Sequence, residues 1–576
     1  MASHRGPGPE QRGTKRKRTG EEPEPTAFGD DNDQHDASAA EADCRCAKAP
    51  ARSSGSPASD VGITSSPPPR VAPAAKDDEY WRTLYSGELD FRALGQRDPA
   101  FQAVLKESSS GGGVHLDFGD PAALVQLTTT LLRVDFGLRV ELPADRLCPA
   151  VPNRHSYIVW LKDLLDSTAS PWYPDAPPAE KKVVGLDVGT GASLIYPLLG
   201  CAQRPDWSFV ATDVDAASLR SARRNLDLNP ALRPRIRIVD RGTPPAAAAA
   251  ARPLVPLDEL GLDALDFVMT NPPFYASAAE LAALAARKDR PPSGACTGAP
   301  VEMVYPGPGP GPGGIDDLAA AGGEVDFVGR LLDESLALRG RVRWYTAMLG
   351  RLSSVEALVA ALRRRGVANY ALATFSPGAR TRRWALAWSF GAARPCARAA
   401  RAAAGLLPPG KRALLPPPPE ATLATRPGGA GARARLARRL RAALAPLRLA
   451  AWTWDARRAR GVGYAAANVW GRAHRRRRER AGGAVRGNSN DNDDDDVAPP
   501  RAPEHPSECA LGFSVAVARG AGGEEVAAAV ARWVQGYDHA LFESFAEYVR
   551  RALAAGEGEG GGEGGQVDEG TEGSCA

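Results

Sequence analysis

The stretch that decides the fold runs from Val184 to Ser193 and reads Val-Gly-Leu-Asp-Val-Gly-Thr-Gly-Ala-Ser. A short apolar run leads through Asp187 into a turn that contains Gly189 and Gly191. Glycine has no Cβ, so these two positions let the backbone come close to a ligand. The third glycine of a dinucleotide-binding fingerprint is missing, which disfavours NAD. Taken alone, the motif also fits a purely structural turn from strand to helix.

Apolar runs on both sides of this turn alternate with helical patterns. Helices are predicted from Ala217 to Leu228 and from Asp120-Pro121 onward. Strands are predicted at four apolar runs, 183–188, 207–212, 235–239 and 265–269. Such alternation indicates an α/β fold with a mostly parallel sheet and crossover helices. We therefore expect a Rossmann-like domain over residues 79–391.

Two segments of low complexity flank the predicted folded part of the chain. Residues 1–78 combine Pro, Ser, Gly, Ala and charge with almost no aromatic residues, and residues 555–576 are mainly Gly and Glu. Such compositions bury too little apolar surface to fold, so both tails are predicted to be disordered. The basic run Gly13–Thr19 predicts a nuclear import signal and a nuclear protein, with a cytoplasmic pool as an alternative. A solvated charge cluster is the other interpretation of this run.

A second, smaller folded unit is predicted near the end of the sequence. Residues 392–440 are mainly Ala, Arg and Pro and are predicted to form a linker. Residues 441–554 predict a small α+β module with an amphipathic helix from Val526 to Leu553 and a disordered insertion at about 475–506. The basic run Arg472–Arg480, close to several tryptophans, favours either an RNA-gripping surface or a structural core with a charged loop.

Composition excludes several classes of protein. The eight scattered cysteines include no CxxC pair, so no zinc or other metal site is expected, and the pattern suits a reducing compartment. No run of about 18 apolar residues occurs, so no membrane span is expected. The net charge of +4 is small for 576 residues, although the charges are segregated into basic and acidic runs.

An acidic residue closes the second predicted strand. Asp213 stands at the end of that strand, where a carboxylate can hydrogen-bond ribose hydroxyls, as in other nucleotide-binding α/β folds. Asp215, two residues later, is expected to face solvent or to cap the next helix. The glycine turn and Asp213 thus occur in the order that binding of a nucleoside requires.

The motif Asn271-Pro272-Pro273-Phe274 follows the fourth predicted strand and carries the chemistry. The two prolines deny the chain a helix and fix a rigid loop. That loop presents the Asn271 side-chain oxygen and the Pro272 carbonyl to one NH2 group, and Phe274 can stack on a flat base. An adenine amine is a poor nucleophile, so orienting it and offsetting its developing positive charge assist methyl transfer. An adenine would have to be single-stranded or flipped out of a duplex to reach this loop.

Together these motifs predict transfer of a methyl group from S-adenosylmethionine to a planar nitrogen. Asp187 is then placed to hold the methionine amino group directly or through water. Further motifs carry a resemblance to a known family: Thr130–Leu138, Gly185–Ser193, Ile195–Gly200, Asn271–Phe274, Gly322–Phe327, Arg343–Tyr345 with Met348–Gly350, and Arg380–Phe390. Through them, residues 85–391 resemble the U6 small nuclear RNA adenine-N6 methyltransferases, relatives of the bacterial enzyme that methylates an adenine in large-subunit ribosomal RNA.

The resemblance implies a Rossmann-like class I methyltransferase fold, S-adenosylmethionine as cofactor and RNA, above all U6 small nuclear RNA, as partner. It implies a set of cofactor contacts, to which the glycine turn itself adds Gly191: Arg154, Gly189, Ser193, Asp213, Asn271 and, on the adenine side, Thr243. Arg154 would reach the methionine carboxylate, which a guanidinium fork fits well. It also implies a set of RNA contacts: Asp90, Phe91, Arg287, Lys288, Arg290, Arg351, Arg380, Arg382 and Arg383. For the basic residues, a solvated face is the alternative.

The chain departs from the family pattern in three places. Ser156 stands where an Asn is usual, Asp213 is shorter than the usual Glu, and a Gly/Pro-rich insertion at about 306–320 enlarges a loop near the catalytic face. Two other functions remain open: a methyltransferase for a protein glutamine amide, and a non-catalytic RNA-binding scaffold. Phe274 in place of the Tyr common in the former, and the intact Asn271 motif, argue against them. An enzyme acting on thymine or cytosine in DNA fits less well still.

Overall fold

The computed structural model describes residues 76–107, 113–169, 182–242, 252–286, 298–306, 322–376, 382–427, 431–474, 476, 509–519 and 526–555. Several predicted features lie outside these ranges. They are the first tail with its basic run, most of the Gly/Pro-rich insertion at 306–320, most of the insertion at 475–506 and the Gly/Glu tail after residue 555.

Small N-terminal elements precede the main sheet. Helices α1 to α3 and a two-stranded antiparallel ribbon, β1–β2, come first: α1 Asp78–Thr83, α2 Phe91–Arg97, α3 Pro99–Gln102, β1 Leu105–Glu107 and β2 Val114–Leu116. Two longer helices follow: α4 Pro121–Phe136 and α5 Val151–Asp166. The predicted start of α4 is confirmed, because the Asp120 carboxylate accepts a hydrogen bond from the Ala122 amide at 2.9 Å.

A seven-stranded sheet forms the centre of the molecule. Its strands and the helices between them are β3 Val183–Val188, α6 Ile195–Gln203, β4 Trp207–Asp213, α7 Ala216–Asp227, β5 Ile236–Asp240, β6 Leu265–Thr270, α8 Ala278–Ala286, α9 Pro300–Met303, α10 Gly323–Leu338, β7 Val342–Leu349, α11 Leu352–Arg364, β8 Tyr370–Phe375 and β9 Arg383–Trp388. The strand order is β5-β4-β3-β6-β7-β9-β8. The first five strands are parallel and β9 is antiparallel to both of its neighbours. The predicted α/β fold with a mostly parallel sheet is confirmed.

Both faces of this sheet are covered by helices, as a mostly parallel sheet requires. On one face, Leu161 of α5 and Leu198 of α6 lie in a core that also contains Phe267 of β6. On the other face, Leu331 of α10 and Leu358 of α11 lie in a second core. Burial on both faces explains why inner strands such as β3 and β6 read as continuous apolar runs, whereas the edge strand β5 alternates Ile with polar residues.

The C-terminal module is a five-stranded antiparallel sheet with two helices packed against it. Its elements follow a short helix, α12 Ala397–Ala400, and are β10 Glu420–Pro427, α13 Ala432–Leu444, β11 Ala451–Asp455, β12 Arg460–Ala465, β13 Leu511–Arg519, β14 Val526–Gln535 and α14 His539–Ala555. The strand order is β10-β14-β13-β12-β11. Leu440 of α13, Phe513 of β13 and Phe545 of α14 share its core.

The predicted linker at 392–440 is wrong. This region contains α12, β10 and α13, and β10 is an edge strand of the module. The region is rich in alanine and arginine, but α13 has a narrow apolar stripe. Leu436, Leu440 and Leu444 recur every four residues along this helix and are buried. The module therefore begins before residue 441.

The predicted helix from Val526 to Leu553 is wrong in its first part. Residues 526–535 form β14, which pairs with β10 and β13, and the helix begins only at His539. Alanine favours a helix locally, but pairing on both sides overrides that preference. Gly536, at a φ of +125°, separates the strand from the helix.

Buried arginines connect the module to the part of the chain that contains the central sheet. Arg394 lies 4.1 Å from the Trp533 ring centroid, and its Nε donates to the Gly536 carbonyl at 2.8 Å. Arg532 donates to the Ser167 carbonyl, just after α5, at 2.8 Å. Because buried guanidinium groups need such partners, these contacts tie the two units together.

Candidate active site

The parallel register brings three predicted site residues to one edge of the central sheet. Val188 at the end of β3 pairs with Thr212 of β4 and with Thr270 of β6. Gly189, Asp213 and Asn271 each lie within a residue of this common level. In parallel α/β sheets, ligands bind outside the carboxyl ends of the strands, so this edge is the candidate site.

The glycine turn adopts a backbone that requires glycine. Gly189 has a φ of +77° and Gly191 a φ of +64°. The Gly191 amide donates to Asp213 Oδ2 at 2.8 Å, which ties the turn to the second acidic position. No heavy atom lies within 4 Å of where a Cβ on Gly189 would stand, so open space faces this turn among the described residues. Ser193 follows the turn and is buried just before α6.

Asp187 is fully buried, and neither of its carboxylate oxygens has a hydrogen-bond partner among the described residues. Burial raises the pKa of Asp187 to about 7, and the charge on Asp213 acts in the same direction, whereas Thr190 and Arg154 favour the charged form. A buried carboxylate without donors is unfavourable unless a ligand supplies them. The site therefore fits a ligand that brings an amino group to Asp187.

Asp213 is already engaged with the backbone around it. Its Oδ1 accepts from the amides of Val214 at 2.8 Å and Asp215 at 3.0 Å, and its Oδ2 accepts from Gly191. Burial raises the pKa of Asp213, and these three amides oppose that effect. A carboxylate has about four lone-pair sites, so capacity to accept from ribose hydroxyls remains. Asp215 caps α7 by accepting from the Ser218 amide, as one of the two expectations for it stated.

Arg154 reaches the same edge from the first turn of α5. It is 8% exposed, and its guanidinium lies 5.7 Å from the Tyr196 ring centroid. Its Nη1 stands 3.5 Å from Asn271 Oδ1 and 2.9 Å from Met348 Sδ. The structure thus brings together Arg154 and Asn271, which lie 117 residues apart in sequence. The guanidinium is placed to hold an anionic group such as a carboxylate.

The loop Asn271–Phe274 is fixed from behind by backbone pairing. The Tyr275 amide donates to the Met303 carbonyl at 3.0 Å, and the Tyr305 amide donates to the Tyr275 carbonyl at 2.9 Å. Gly323 has a φ of +67°, and a Cβ there would stand 2.9 Å from the Phe274 carbonyl oxygen. Only glycine permits this close approach. Sequence reasoning missed this support, although Gly322–Phe327 was among the motifs of the resemblance.

Two arginines lie over the aromatic residues of this loop. The Arg383 guanidinium is 5.8 Å from the Phe274 ring centroid, and that of Arg351 is 5.9 Å from the Tyr275 ring centroid. Arg351 also pairs with Glu280 at 2.9 Å, and Glu280 accepts from the Ala276 amide at 2.7 Å. Arg351 therefore stabilises the loop through Tyr275 and Glu280, and its contact with RNA stays a prediction.

A buried carboxylate joins the end of β7 to α10 beside the loop. Glu324, 2% exposed, accepts from the amides of Gly350 at 2.7 Å and Arg351 at 3.1 Å. Burial raises the pKa of Glu324, while the hydroxyl of Ser354 and these amides oppose that effect. A Cβ on Gly350 would stand 3.2 Å from Phe274 Cδ1, so this junction packs directly on the aromatic ring.

The predicted RNA contacts differ in their exposure, and several of the predicted site residues lie outside the described ranges. Arg382 is exposed, and its sequence neighbour Arg383 lies 5.8 Å from the Phe274 ring centroid. Asp90 caps α2 by accepting from the Ala93 amide, and Phe91 is buried against Phe101 and Phe118. The Phe91 side chain thus belongs to the core, and contact of the Asp90-Phe91 segment with RNA stays a prediction. Five predicted contacts lie outside the described residues: Thr243, Arg287, Lys288, Arg290 and Arg380.

The described residues also bear on metal binding and on membrane insertion. Within the ranges given above, no group of three or more His, Cys, Asp or Glu side chains is arranged to hold a metal ion. No helix in the same ranges is long and apolar enough to cross a membrane.

Comparisons with known proteins match the part of the chain that contains this site. A chain named RNA N(6)-adenosine-methyltransferase mettl16 from Danio rerio is 39% identical over 310 residues, which cover 52% of this chain and 56% of that protein. The U6 small nuclear RNA (adenine-(43)-N(6))-methyltransferase of Schizosaccharomyces pombe is 39% identical, over 51% of this chain and 66% of its own length. The chain thus spans between half and two thirds of these eukaryotic relatives.

A bacterial protein is matched over nearly its whole length. Ribosomal RNA large subunit methyltransferase F of Psychromonas ingrahamii is 31% identical over 54% of this chain and 94% of its own length. The crystal structure of the N-terminal domain of human METTL16 in complex with SAH is 34% identical, covers 54% of this chain and 97% of that chain, and has a TM-score of 0.41. The Methyltransf_10 family model, described as RNA methyltransferase, matches residues 74–392. On this match, which spans the glycine turn, Asp213 and the Asn271 loop, the chain belongs to the Methyltransf_10 family of RNA methyltransferases.

Proposed function

We propose that this protein transfers a methyl group from S-adenosylmethionine to the N6 amine of an adenosine in RNA. One observation carries the proposal: the buried carboxylate of Asp187, for which the described residues provide no hydrogen-bond partner within normal distance, and the side-chain oxygen of Asn271 lie at the same sheet edge, with Arg154 next to Asn271. This edge therefore offers an acceptor for a ligand's amino group, a guanidinium for its carboxylate, and an acceptor for a second amine.

Different residues of the chain bind different parts of the cofactor. Asp187 accepts from the methionine amino group, Arg154 holds the methionine carboxylate, and the amide-rich turn at Gly189 and Gly191 lets the backbone approach closely. Asp213 faces the ribose hydroxyls, and Ser193 and Thr243 complete the set of proposed contacts. When bound, S-adenosylmethionine supplies an electrophilic methyl group on a sulfonium centre.

The Asn271 loop orients the nucleophile. The Asn271 oxygen and the Pro272 carbonyl accept the two amine hydrogens, which aligns the lone pair and offsets positive charge as the new bond forms. Phe274 provides a flat surface for the base, and Arg383 lies beside its ring. Because the amine loses its proton only after transfer, no side chain with a shifted pKa has to act as a base beforehand.

U6 small nuclear RNA is the substrate that we propose first, and the nucleus is the proposed compartment. The names of the relatives support the substrate, and the basic run Gly13–Thr19 supports the compartment. Exposed arginines such as Arg382 would contact phosphates, so the affinity for RNA should fall as salt rises.

A methyl-transfer assay tests the proposal. Purified protein, labelled S-adenosylmethionine and a short RNA with the U6 ACAGAGA-type sequence should give N6-methyladenosine. Asn271→Ala should lower kcat by about 100-fold to 1000-fold, the usual effect of removing one group that stabilises developing charge. Circular dichroism and thermal melting of the variant should match the wild type.

Two outcomes of this assay would contradict the proposal. Label that appears on glutamine of a protein substrate would favour the glutamine methyltransferase, and RNA binding without any transfer would favour the scaffold. Transfer to an unrelated RNA but not to the U6 sequence would leave the reaction intact and reject only the substrate.

A further inference from the structure

Glu302 links two segments that lie far apart in sequence, close to the glycine turn. It belongs to the short helix α9, and its Oε2 accepts from the Ala299 amide at 2.8 Å within the same segment. The same oxygen accepts from the Leu147 amide at 3.0 Å, across 155 residues of sequence. A local cap of α9 would need only the first bond, so the second one requires another explanation.

The other oxygen of Glu302 faces the cofactor side of the sheet edge. A Cβ placed on Gly191 would stand 3.7 Å from Glu302 Oε1. Burial raises the pKa of Glu302, while the amides of Ala299 and Leu147 and the guanidinium of Arg146 oppose that effect. The carboxylate is therefore held in place by backbone amides at the border of the turn.

Glu302 is also one residue away from the pairing that supports the catalytic loop. Met303 accepts from the Tyr275 amide, and Tyr305 donates to the Tyr275 carbonyl. Tyr275 directly follows Phe274, and Leu147 lies four residues before α5, which carries Arg154. Three parts of the site thus converge on Glu302: the turn, the segment that leads to Arg154, and the loop that is proposed to hold the adenine amine.

We propose that Glu302 is a positioning residue that holds residues 298–306 against the glycine turn and thereby sets the Asn271 loop at its correct distance from the cofactor. This inference rests on the proposed function for its catalytic consequence, but the contacts themselves do not. Glu302 is absent from the sequence-based set of site residues, because a single Glu in a four-residue helix has no sequence pattern that points to a site.

Three variants of Glu302 distinguish the effect of side-chain length from the effect of its negative charge. Glu302→Ala removes both bonds. Glu302→Gln keeps one oxygen at the same reach, and since both amides donate to a single oxygen, the amide side chain can preserve both bonds. Glu302→Asp keeps the charge but is one methylene shorter and cannot serve both amides from the same backbone position. Glu356→Gln, which changes a surface carboxylate paired with Lys411, is the control.

The first readout is hydrogen exchange of the full chain, which does not depend on catalysis. In Glu302→Ala and Glu302→Asp, the amides of Tyr275 and Tyr305 should exchange about tenfold faster or more, since local opening becomes easier. Glu302→Gln and the control should match the wild type. Exchange at wild-type rates in both the Ala and Asp variants would overturn the proposal, and the milder Asp variant keeps the test decisive if the Ala variant does not fold.

The second readout is binding and turnover. Calorimetry with S-adenosylhomocysteine should give a Kd about five- to tenfold weaker for the Ala and Asp variants, and kcat with RNA should fall further than the change in Kd explains. Recovery of both values in Glu302→Gln is expected, and its failure would show that charge rather than reach matters. If the wild type neither binds S-adenosylhomocysteine nor methylates RNA, the proposed function fails, while the exchange measurement still decides the role of Glu302.

Discussion

Asp187 is buried without a hydrogen-bond donor at either carboxylate oxygen among the described residues, and its pKa is raised to about 7. An acid with a higher pKa in the folded than in the unfolded protein binds more protons when folded. Stability therefore falls as pH rises between the two values. For Asp187 the interval runs from the ordinary value of 3.8 to about 7.

The change Asp187→Asn should remove this loss of stability. Without ligand, the melting temperature of the variant should exceed that of the wild type by an amount that grows from about pH 4 to about pH 7 and then stays constant. Affinity for S-adenosylhomocysteine should fall at least about tenfold above pH 7, because the amide lacks the charge that binds an ammonium group. Calorimetry and thermal melting across pH check both effects. A constant difference in melting temperature over the whole range would contradict this account of Asp187.

At the scale of elements, the approach of α10 to the Asn271 loop depends on Gly323. Gly323→Ala adds a Cβ at 2.9 Å from the Phe274 carbonyl oxygen and also strains a backbone with a φ of +67°. We expect kcat to fall about tenfold or more, since small displacements of a positioned group reduce rate strongly. Steady-state kinetics with the RNA substrate measures this.

Gly137→Ala is the matched control for Gly323→Ala. Gly137 has a φ of +70° at the end of α4, but nothing lies within 4 Å of its Cβ position. Both variants should lose about 1–2 kcal/mol of stability from backbone strain alone. If Gly137→Ala lowers kcat as much as Gly323→Ala does, the effect is one of stability and not of loop position.

Four strands of the central sheet, β3 to β6, were predictable because each has a local signal. Apolar runs gave these strands, and Asp120-Pro121 and the acidic positions before α7 gave helix starts, whereas β7, β8 and β9 were not predicted as strands. Asp187, Asp213 and Asn271 each lie at the carboxyl end of a predicted parallel strand, so their common edge followed from the sequence pattern. The alanine-rich β10–α13 region and β14 were not predictable in the same way, since their state is set by pairing with distant strands.

Contacts between distant segments were the other feature that sequence did not reveal. The pairing of Tyr275 with Met303 and Tyr305, the bond from Leu147 to Glu302, and the packing of Phe91 depend on how loops meet in three dimensions. The periodicity of apolar residues predicts single helices and strands, and it contains no information on contacts between distant loops. The resemblance supplied the motif Gly322–Phe327, but not its contact with the Asn271 loop.

At the scale of the whole molecule, Arg394 joins the C-terminal module to the central sheet. It is 5% exposed, its pKa is lowered to about 10 by burial, and it contacts the Trp533 ring and the Gly536 carbonyl. Arg394→Ala should lower stability by about 2–4 kcal/mol, since it removes a desolvated cation–π contact and leaves buried carbonyls without a donor. Arg364→Ala, at an exposed position of α11, should have little effect.

Differential scanning calorimetry tests this junction directly. The wild type should melt in one cooperative transition, and Arg394→Ala should broaden it or split it in two. Two well-separated transitions in the wild type would mean that the buried contacts do not couple the units.

The contact between Arg532 of the module and Ser167 lies at the opposite end of α5 from Arg154, which separates the module contact from the candidate site. Arg154 lies in the first turn of α5, whereas Ser167, which accepts from Arg532 of the module, follows its last turn. Thirteen residues of helix correspond to about 20 Å. If an RNA stem contacted both units, it would have to extend over a distance on the order of these 20 Å. In that case the length of the stem, in addition to the sequence around the adenosine, should affect which substrates bind.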